Sequence, residues 1–452
     1  MKNLTIQNII SAVNGKYFGE NEPSQGEISF VTTDSRKAAE GCLFAAIKGE
    51  NSDGNDFIDS ALKSGALCTL GQKPPEGGGA FIGVPNTVAA LGDLAAYYRS
   101  GFDIPIVGVT GSVGKTTAKE MLSCVLARRF KLHKTLMNLN NDLGVPLTLL
   151  GLDSSHQAAV IEMGISHFGE MTRLAQIVRP QMALFTAIGC AHLEFLGDLD
   201  GVLRAKSELL PLLPADGTVF VNGDDPKLAS ICCTQELISF GLSQGCRVRA
   251  TELKLLGTEG MEFTVSSEDR NFDVKINAFG RHLVTAALGA AAVGIKMGLS
   301  DEEIAAGIAD YAPVGSRSSI IKTNGCTIID DCYNANPTSV ASALSSLAML
   351  PGRKVAILGD MFELGETAQE LHYETGLKAA ELGIDSVVAC GTLSDGIFDG
   401  ASDGGCPLPV YFSEKSMLID ALPTLLEKGD SVLVKASHSM HFEELVEALK
   451  KM

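Results

Sequence analysis

A chain of 452 residues has room for about three domains. Its 45% hydrophobic and 20% charged residues match a compact globular protein and exclude a disordered one. A net charge of −18 at pH 7 argues against broad contact with nucleic acid or an anionic membrane, while a local phosphate cradle stays compatible.

The N-terminal MKNLTIQNIISAV lacks the long apolar core of a signal peptide, and no run reaches transmembrane length. Eleven cysteines carry no CxxC pair, which reads as reduced thiols rather than a disulfide frame. The sequence therefore predicts a cytoplasmic protein with no membrane insertion and no nucleic-acid partner. A monomer is expected.

Residues 1–101 read as a first unit. Two apolar runs, Ile28–Thr33 and Gly41–Ile47, end in polar clusters, Asp34-Ser35-Arg36 and Lys48-Gly49. A further loop, Asn51-Ser52-Asp53-Gly54, precedes a helical pattern from Phe57 to Lys63. Loops at strand ends are where binding residues gather, but Asp34-Ser35-Arg36 alone reads equally as an ordinary turn. Gly101–Pro105 reads as the linker to the next unit.

Residues 102–313 open on Ile106–Val109, an apolar run read as a buried strand, then Thr110-Gly111-Ser112-Val113-Gly114-Lys115-Thr116-Thr117. After it, Ala118, Met121, Leu122, Val125 and Leu126 fall on one helical stripe. Strand, glycine loop and helix in this order cradle phosphate, because bare backbone N–H groups and a helix N-terminus favour an anion. Lys115 would reach the β- and γ-phosphates of ATP, and the Thr116 hydroxyl would sit on Mg²⁺. The loop is a variant, since the usual pattern wants Gly at 109 and finds Val.

Three later runs, Ala158–Glu162, Ala183–Ile188 leading to His192, and Thr218–Asn222, complete the picture of a doubly wound, mostly parallel sheet. Glu162 and His192 stand at strand exits where they could meet the metal, although a hydrogen-bonded loop histidine is the plainer reading of His192. On a helix expected from about Asp200 to Leu213, Val202, Lys206, Leu209 and Leu213 share one stripe. That turns Lys206 toward the core, where burial lowers its pKa and frees the amine to form a carbamate with CO₂. A lysine snorkelling to the surface is the competing reading.

Residues 314–452 repeat a strand–helix rhythm in Thr327–Asp330, Lys354–Leu358, Ser386–Ala389 and Ser431–Lys435, with helical patterns at Pro337–Leu350 and Phe442–Leu449. A smaller, Rossmann-like parallel α/β domain is predicted. The overall class is α/β in three domains.

The nucleotide loop, the segment Asn138-Leu139-Asn140-Asn141, and the blocks Asp330-Asp331-Cys332-Tyr333-Asn334-Ala335-Asn336-Pro337 and Leu358–Gly365 resemble the Mur ligase family over nearly the whole chain. They are most similar to the branch that adds D-alanyl-D-alanine to UDP-MurNAc-tripeptide. No Asp-Asn-Pro-Arg tetrapeptide of the ligases adding the third residue is present.

The resemblance implies a UDP-sugar site on Asp34, Ser35, Arg36, Lys48, Asp53 and Gly54. It implies Lys115, Thr116, Glu162 and His192 around two Mg²⁺ ions, with Lys206 as a carbamylated ligand. Arg317 and Asp331 would be carried to ATP when the C-terminal domain closes. Asn140, Asn141 and Tyr333 would contact substrate, and Asn334 and Asn336 the nucleotide. The reaction implied is ATP-driven amide formation through an acyl phosphate.

Two departures from the family pattern stand out. His282-Leu283-Val284-Thr285-Ala286 lacks the usual asparagines, and Lys435-Ala436-Ser437-His438 ends in histidine where arginine is frequent. A folylpolyglutamate-synthase-type ligase shares the central domain but would not explain Tyr333–Pro337. A P-loop switch protein would not explain Glu162, His192 and Lys206 together.

Overall fold

The computed structural model describes all 452 residues, arranged on three sheets. The first sheet runs Lys16–Phe18, Phe81–Gly83, Cys68–Gly71, Leu43–Ala45, Val31–Thr32, parallel except for the first strand. The runs expected at 28–33 and 41–47 shrink to two and three residues of strand. The exit of the first run and the later loop at Asp53-Gly54 turn into 3₁₀ segments at Ser35–Lys37 and Gly54–Phe57, capped by Asp34 and Asp53 side chains. Short aspartate side chains bond nearby backbone N–H groups more readily than they extend a ladder.

The central sheet has nine strands. Seven are parallel, in the order Leu132–Lys134, Ala158–Glu162, Ile106–Thr110, Met182–Phe185, Thr218–Asn222, Glu236–Gly241, Val248–Leu255. Met261–Ser266 and Asn271–Ile276 extend it antiparallel. The inner strands are buried on both faces, as a parallel sheet covered by helices requires. Ile106, Ile161 and Phe185 enter the core on one face, and Val107, Val109 and Leu184 the core on the other. Val109, the departure from the glycine pattern, is thus a strand residue with its side chain in the core.

The helix expected to reach Leu213 ends at Ser207, and a 3₁₀ turn follows at Leu210–Leu212. Pro211 explains the break, because its ring clashes with the carbonyl four residues back and it brings no N–H. Leu209 and Leu213 stay buried beyond the break.

The third sheet runs Ser319–Lys322, Thr327–Asp330, Ser431–Lys435, Lys354–Gly359, Ser386–Cys390, Leu408–Phe412, antiparallel only at the first strand. Separate apolar clusters cover its two faces. This is the three-sheet α/β architecture expected from the sequence.

The first two sheets share a core. Leu91, Leu94 and Tyr98 of the helix Thr87–Arg99 join Leu149, Leu174 and Ile177 in one cluster. Arg99 crosses the junction, nearly fully buried, and donates to the carbonyls of Val178, Phe102, Ile104 and Arg179. No carboxylate bonds to it; carbonyl dipoles alone hold the charge. Arg99→Leu would leave those oxygens unpaired, so a loss of about 2–4 kcal/mol is expected. A melting curve coinciding with that of the wild type would contradict this.

Candidate active site

A cleft of about 920 Å³ opens between the central and C-terminal sheets. Its floor is the glycine loop. Thr110 ends the strand, Gly111 turns at φ +149°, and Gly114 caps the helix Lys115–Leu126 at φ +78°. A Cβ at Gly111 would lie 2.0 Å from the Thr186 hydroxyl, so only glycine fits there. Thr186 Oγ1 in turn donates to the Val113 carbonyl at 2.6 Å and holds the loop against the neighbouring strand. Lys115 Nζ donates back to the Gly111 carbonyl at 2.8 Å. Burial keeps its ammonium below the ordinary range, with Glu162 opposing that shift and Arg317 adding to it.

Glu162 ends its strand inside a ring of donors. Thr116 Oγ1 lies 3.2 and 3.0 Å from its two oxygens, and Asn140 Nδ2 donates at 2.7 Å. Lys119 Nζ approaches to 3.9 Å while donating to the Thr135 carbonyl at 2.8 Å and pairing with Glu120 at 2.8 Å. Lys119, with a side chain closed to solvent, was not singled out from sequence. Its signal was available: it lies four residues after Lys115, on the stripe that continues to Leu122 and Leu126.

Lys206 is 1% exposed, and its Nζ forms no hydrogen bond or ion pair with the protein. Burial drives its pKa well below 10.5, helped by the Lys115 charge. The core-facing stripe was right and the snorkelling alternative falls. Lys206 does not line the open cleft but sits behind its wall.

His192 lines the cleft at φ +56°, and its Nδ1 lies 2.6 Å from Glu363 Oε2 without the alignment of a hydrogen bond.

From the C-terminal side come Arg317, Asp331, Tyr333, Asn334 and Asn336. The Arg317 guanidinium stacks 3.8 Å above the Tyr333 ring. Asp331 accepts from Ser318 N–H at 2.9 Å and pairs with buried Lys435 at 2.6 Å. Asn336 caps the helix Pro337–Ala348 through Ser339 N–H, so its side-chain oxygen is committed to the fold. Asn141 Oδ1 is likewise committed, to Gly144 N–H.

Ser112, Val113, Gly114, Lys115, Thr116, Thr117, Asn140, Asn141, Glu162 and His192 also face the cleft. Thr110 and Gly111 lie beneath it. Asp34, Ser35, Arg36, Lys48, Asp53 and Gly54 do not line it. They form a separate polar rim, in which Asp34 pairs with an outstretched Arg36 and Asp53 accepts from Asn55 and Lys73. These bonds hold the Asp53 carboxyl at about 2. A Cβ at Gly54 would meet the Ile47 carbonyl at 2.5 Å.

Fully enclosed side-chain polar atoms without a hydrogen-bond partner lie on Thr87, Thr110, Ser112, His192 and His282, and all but Thr87 belong to this site. Such orphans are rare unless a ligand satisfies them, and of these only His192 Nδ1 has a carboxylate, that of Glu363, beside it. His282 faces the cleft from the start of the helix His282–Lys296, and burial lowers its pKa.

Family models describe the chain as Mur ligase family, catalytic domain over residues 27–99, Mur ligase middle domain over 109–294, and Mur ligase, glutamate ligase domain over 316–438. A UDP-N-acetylmuramoyl-tripeptide--D-alanyl-D-alanine ligase of Bacillus subtilis is 35% identical over 98% of both chains. The chain belongs to the Mur ligase family. Among solved structures, MurF from Acinetobacter baumannii superposes on this Mur ligase with a TM-score of 0.92 at 34% identity, covering 99% of each chain. MurF from Thermotoga maritima in complex with ADP gives 0.84 at 28% identity, over 93% of this chain and 97% of that one.

The residues present fit ATP and a hard divalent cation. Thr116 and Glu162 offer oxygens, His192 an imidazole, and the orphaned hydroxyls of Thr110 and Ser112 lie at the phosphate loop. No helix of the Mur ligase is long and apolar enough to cross a membrane.

Lys206 gives a test of burial. Its folded-state pKa lies below 10.5, so between the two values the unfolded chain binds the extra proton. Stability therefore rises with pH across that window. In CO₂-free buffer, Lys206→Met should be more stable than wild type at pH 7 by about 1–3 kcal/mol. The gap should close as pH nears 10.5 in denaturant titrations; a gap that does not vary with pH would contradict the assignment.

Proposed function

We propose that this Mur ligase joins D-alanyl-D-alanine to UDP-MurNAc-tripeptide at the expense of ATP, giving UDP-MurNAc-pentapeptide, ADP and phosphate. The observation that carries the reading is the cleft in which Lys115, Glu162 and the C-terminal Arg317 and Asp331 face one space. Full-length relatives bearing that ligase name support the substrates. The reaction belongs to the cytoplasmic assembly of peptidoglycan precursors, and the protein acts as a monomer.

A carboxylate is a poor electrophile, so the terminal carboxylate of the tripeptide first attacks the γ-phosphoryl group and becomes an acyl phosphate. The amine of D-alanyl-D-alanine then adds to that carbonyl, and phosphate leaves as the tetrahedral intermediate collapses. Two anions must meet in the first step, so positive charge at the phosphates governs its rate. Lys115 exchanges its loop carbonyls for the phosphate oxygens, and the orphan hydroxyls and N–H groups of residues 110–114 orient them.

Two Mg²⁺ ions would supply Lewis acidity at the γ-phosphoryl group, one held by Thr116 and Glu162, the other by His192 and carbamylated Lys206. Lys206 suits that modification because burial favours its neutral amine and no neighbouring side chain pairs with it. Its nitrogen adds to CO₂ and sheds a proton, leaving an anionic oxygen in place of a neutral amine. Arg317 and Asp331 would complete the charge pattern from the C-terminal side. Tyr333, Asn334, Asn140 and Asn141 would line the peptide and nucleotide paths, and the rim at Asp34–Arg36, Lys48 and Asp53–Gly54 would take the UDP-sugar end.

The deciding assay follows ADP and phosphate release. Turnover should require UDP-MurNAc-tripeptide and D-alanyl-D-alanine together; release independent of both would favour a switch protein. Lys115→Ala should lower kcat by about 10²–10³. Lys206→Ala should be nearly inactive and regain activity with a short carboxylic acid, whereas an unsupplemented mutant at full rate would remove Lys206 from the mechanism.

A further inference from the structure

One ion pair joins residues 102–313 to residues 314–452. His192 follows the strand Met182–Phe185 of the central sheet. Glu363 belongs to the segment after the strand Lys354–Gly359 of the C-terminal sheet. Their Nδ1 and Oε2 atoms are 2.6 Å apart. Beside them Glu194 N–H donates to the Glu363 carbonyl at 3.2 Å, and Cys190 N–H to Thr338 Oγ1 at 3.3 Å.

An exposed ion pair by itself contributes little. Three observations set this one apart. Both partners hold left-handed backbone, His192 at φ +56° and Glu363 at φ +62°, which side-chain-bearing residues seldom adopt. The segment behind Glu363 is pinned at each preceding residue. Asp360 accepts from Thr392 and Leu393 N–H groups at 3.0 Å and from Ser394 Oγ at 2.6 Å. Met361 N–H donates to His372 Nε2 at 2.9 Å, and Phe362 N–H to Ser437 Oγ at 3.0 Å. Finally, His192 lines the cleft, so a carboxylate on its Nδ1 side turns the other ring nitrogen away from Glu363.

We propose that Glu363 is a positioning residue: when the C-terminal domain docks, its carboxylate fixes the His192 imidazole so that Nε2 is presented to the cation of the nucleotide site. Docking and the cation site are then coupled through one contact. Histidines that bind metal are commonly oriented by a carboxylate on the second nitrogen. Here the orienting carboxylate comes from a different domain than the histidine, so the imidazole is held only while the two are together. The inference rests on the nucleotide-site reading of His192 given above.

The test uses the full-length chain and the variants Glu363→Ala and Glu363→Gln. The Glu363 side chain is 49% exposed, so neither variant should impair folding, and unchanged melting curves check this. Two quantities are read: the docked fraction, from energy transfer between fluorophores on the central and C-terminal domains, and the Mg²⁺ concentration giving half-maximal binding of a non-hydrolysable ATP analogue. Glu363→Ala should lower the docked fraction and raise the Mg²⁺ requirement about tenfold, with Glu363→Gln between it and wild type. A docked fraction unchanged in both variants overturns the proposal, and so does a changed docked fraction with an unchanged Mg²⁺ requirement. Neither readout needs turnover. A wild-type protein that docks and binds nucleotide as expected yet forms no pentapeptide would count against the ligase reading alone.

Discussion

The site depends on where the Glu162 carboxylate is held. Two segments supply its neighbours: the helix after the glycine loop gives Thr116 and, one turn below it, Lys119, and the asparagine-rich stretch gives Asn140. A carboxyl with almost no solvent contact needs such a shell of partners. Its backbone is fixed as well, since Glu162 N–H donates to Thr135 Oγ1. Helix, loop and strand are thereby registered against one another around one charge.

The same logic explains how a chain of net charge −18 hosts a polyanion. Lys115, Lys119, Arg317 and Lys435 converge within or behind one cleft. Enclosure in low dielectric strengthens each of them toward phosphate. The acidic surface surrounding them does not cancel a field focused this way.

Much of this was legible from residues alone because the pattern was local. The strands Ala158–Glu162, Thr218–Asn222, Thr327–Asp330 and Ser431–Lys435 begin and end where their apolar runs do. Lys206 was legible as a breach of its helical stripe. What escaped was non-local. Nothing near Asn336 says that its oxygen would cap the following helix, although Pro337 at the first helical position was a hint. The role of Thr186 in shaping the loop depends on a contact across strands, and the pairing of Glu363 with His192 on a contact between domains. The strands Met261–Ser266 and Asn271–Ile276 were also passed over. The first alternates buried and half-buried residues, which a period-two search would have found.

Gly111 and Thr186 together carry a kinetic consequence. The hydroxyl that forbids any side chain at Gly111 also clasps Val113, so the loop takes its shape from the adjoining strand rather than from a guest. Its conformational entropy is lost when the sheet assembles, well before nucleotide arrives. The triphosphate consequently meets a backbone mould that is already set, and the local step left to slow its capture is the release of Lys115 from the Gly111 carbonyl.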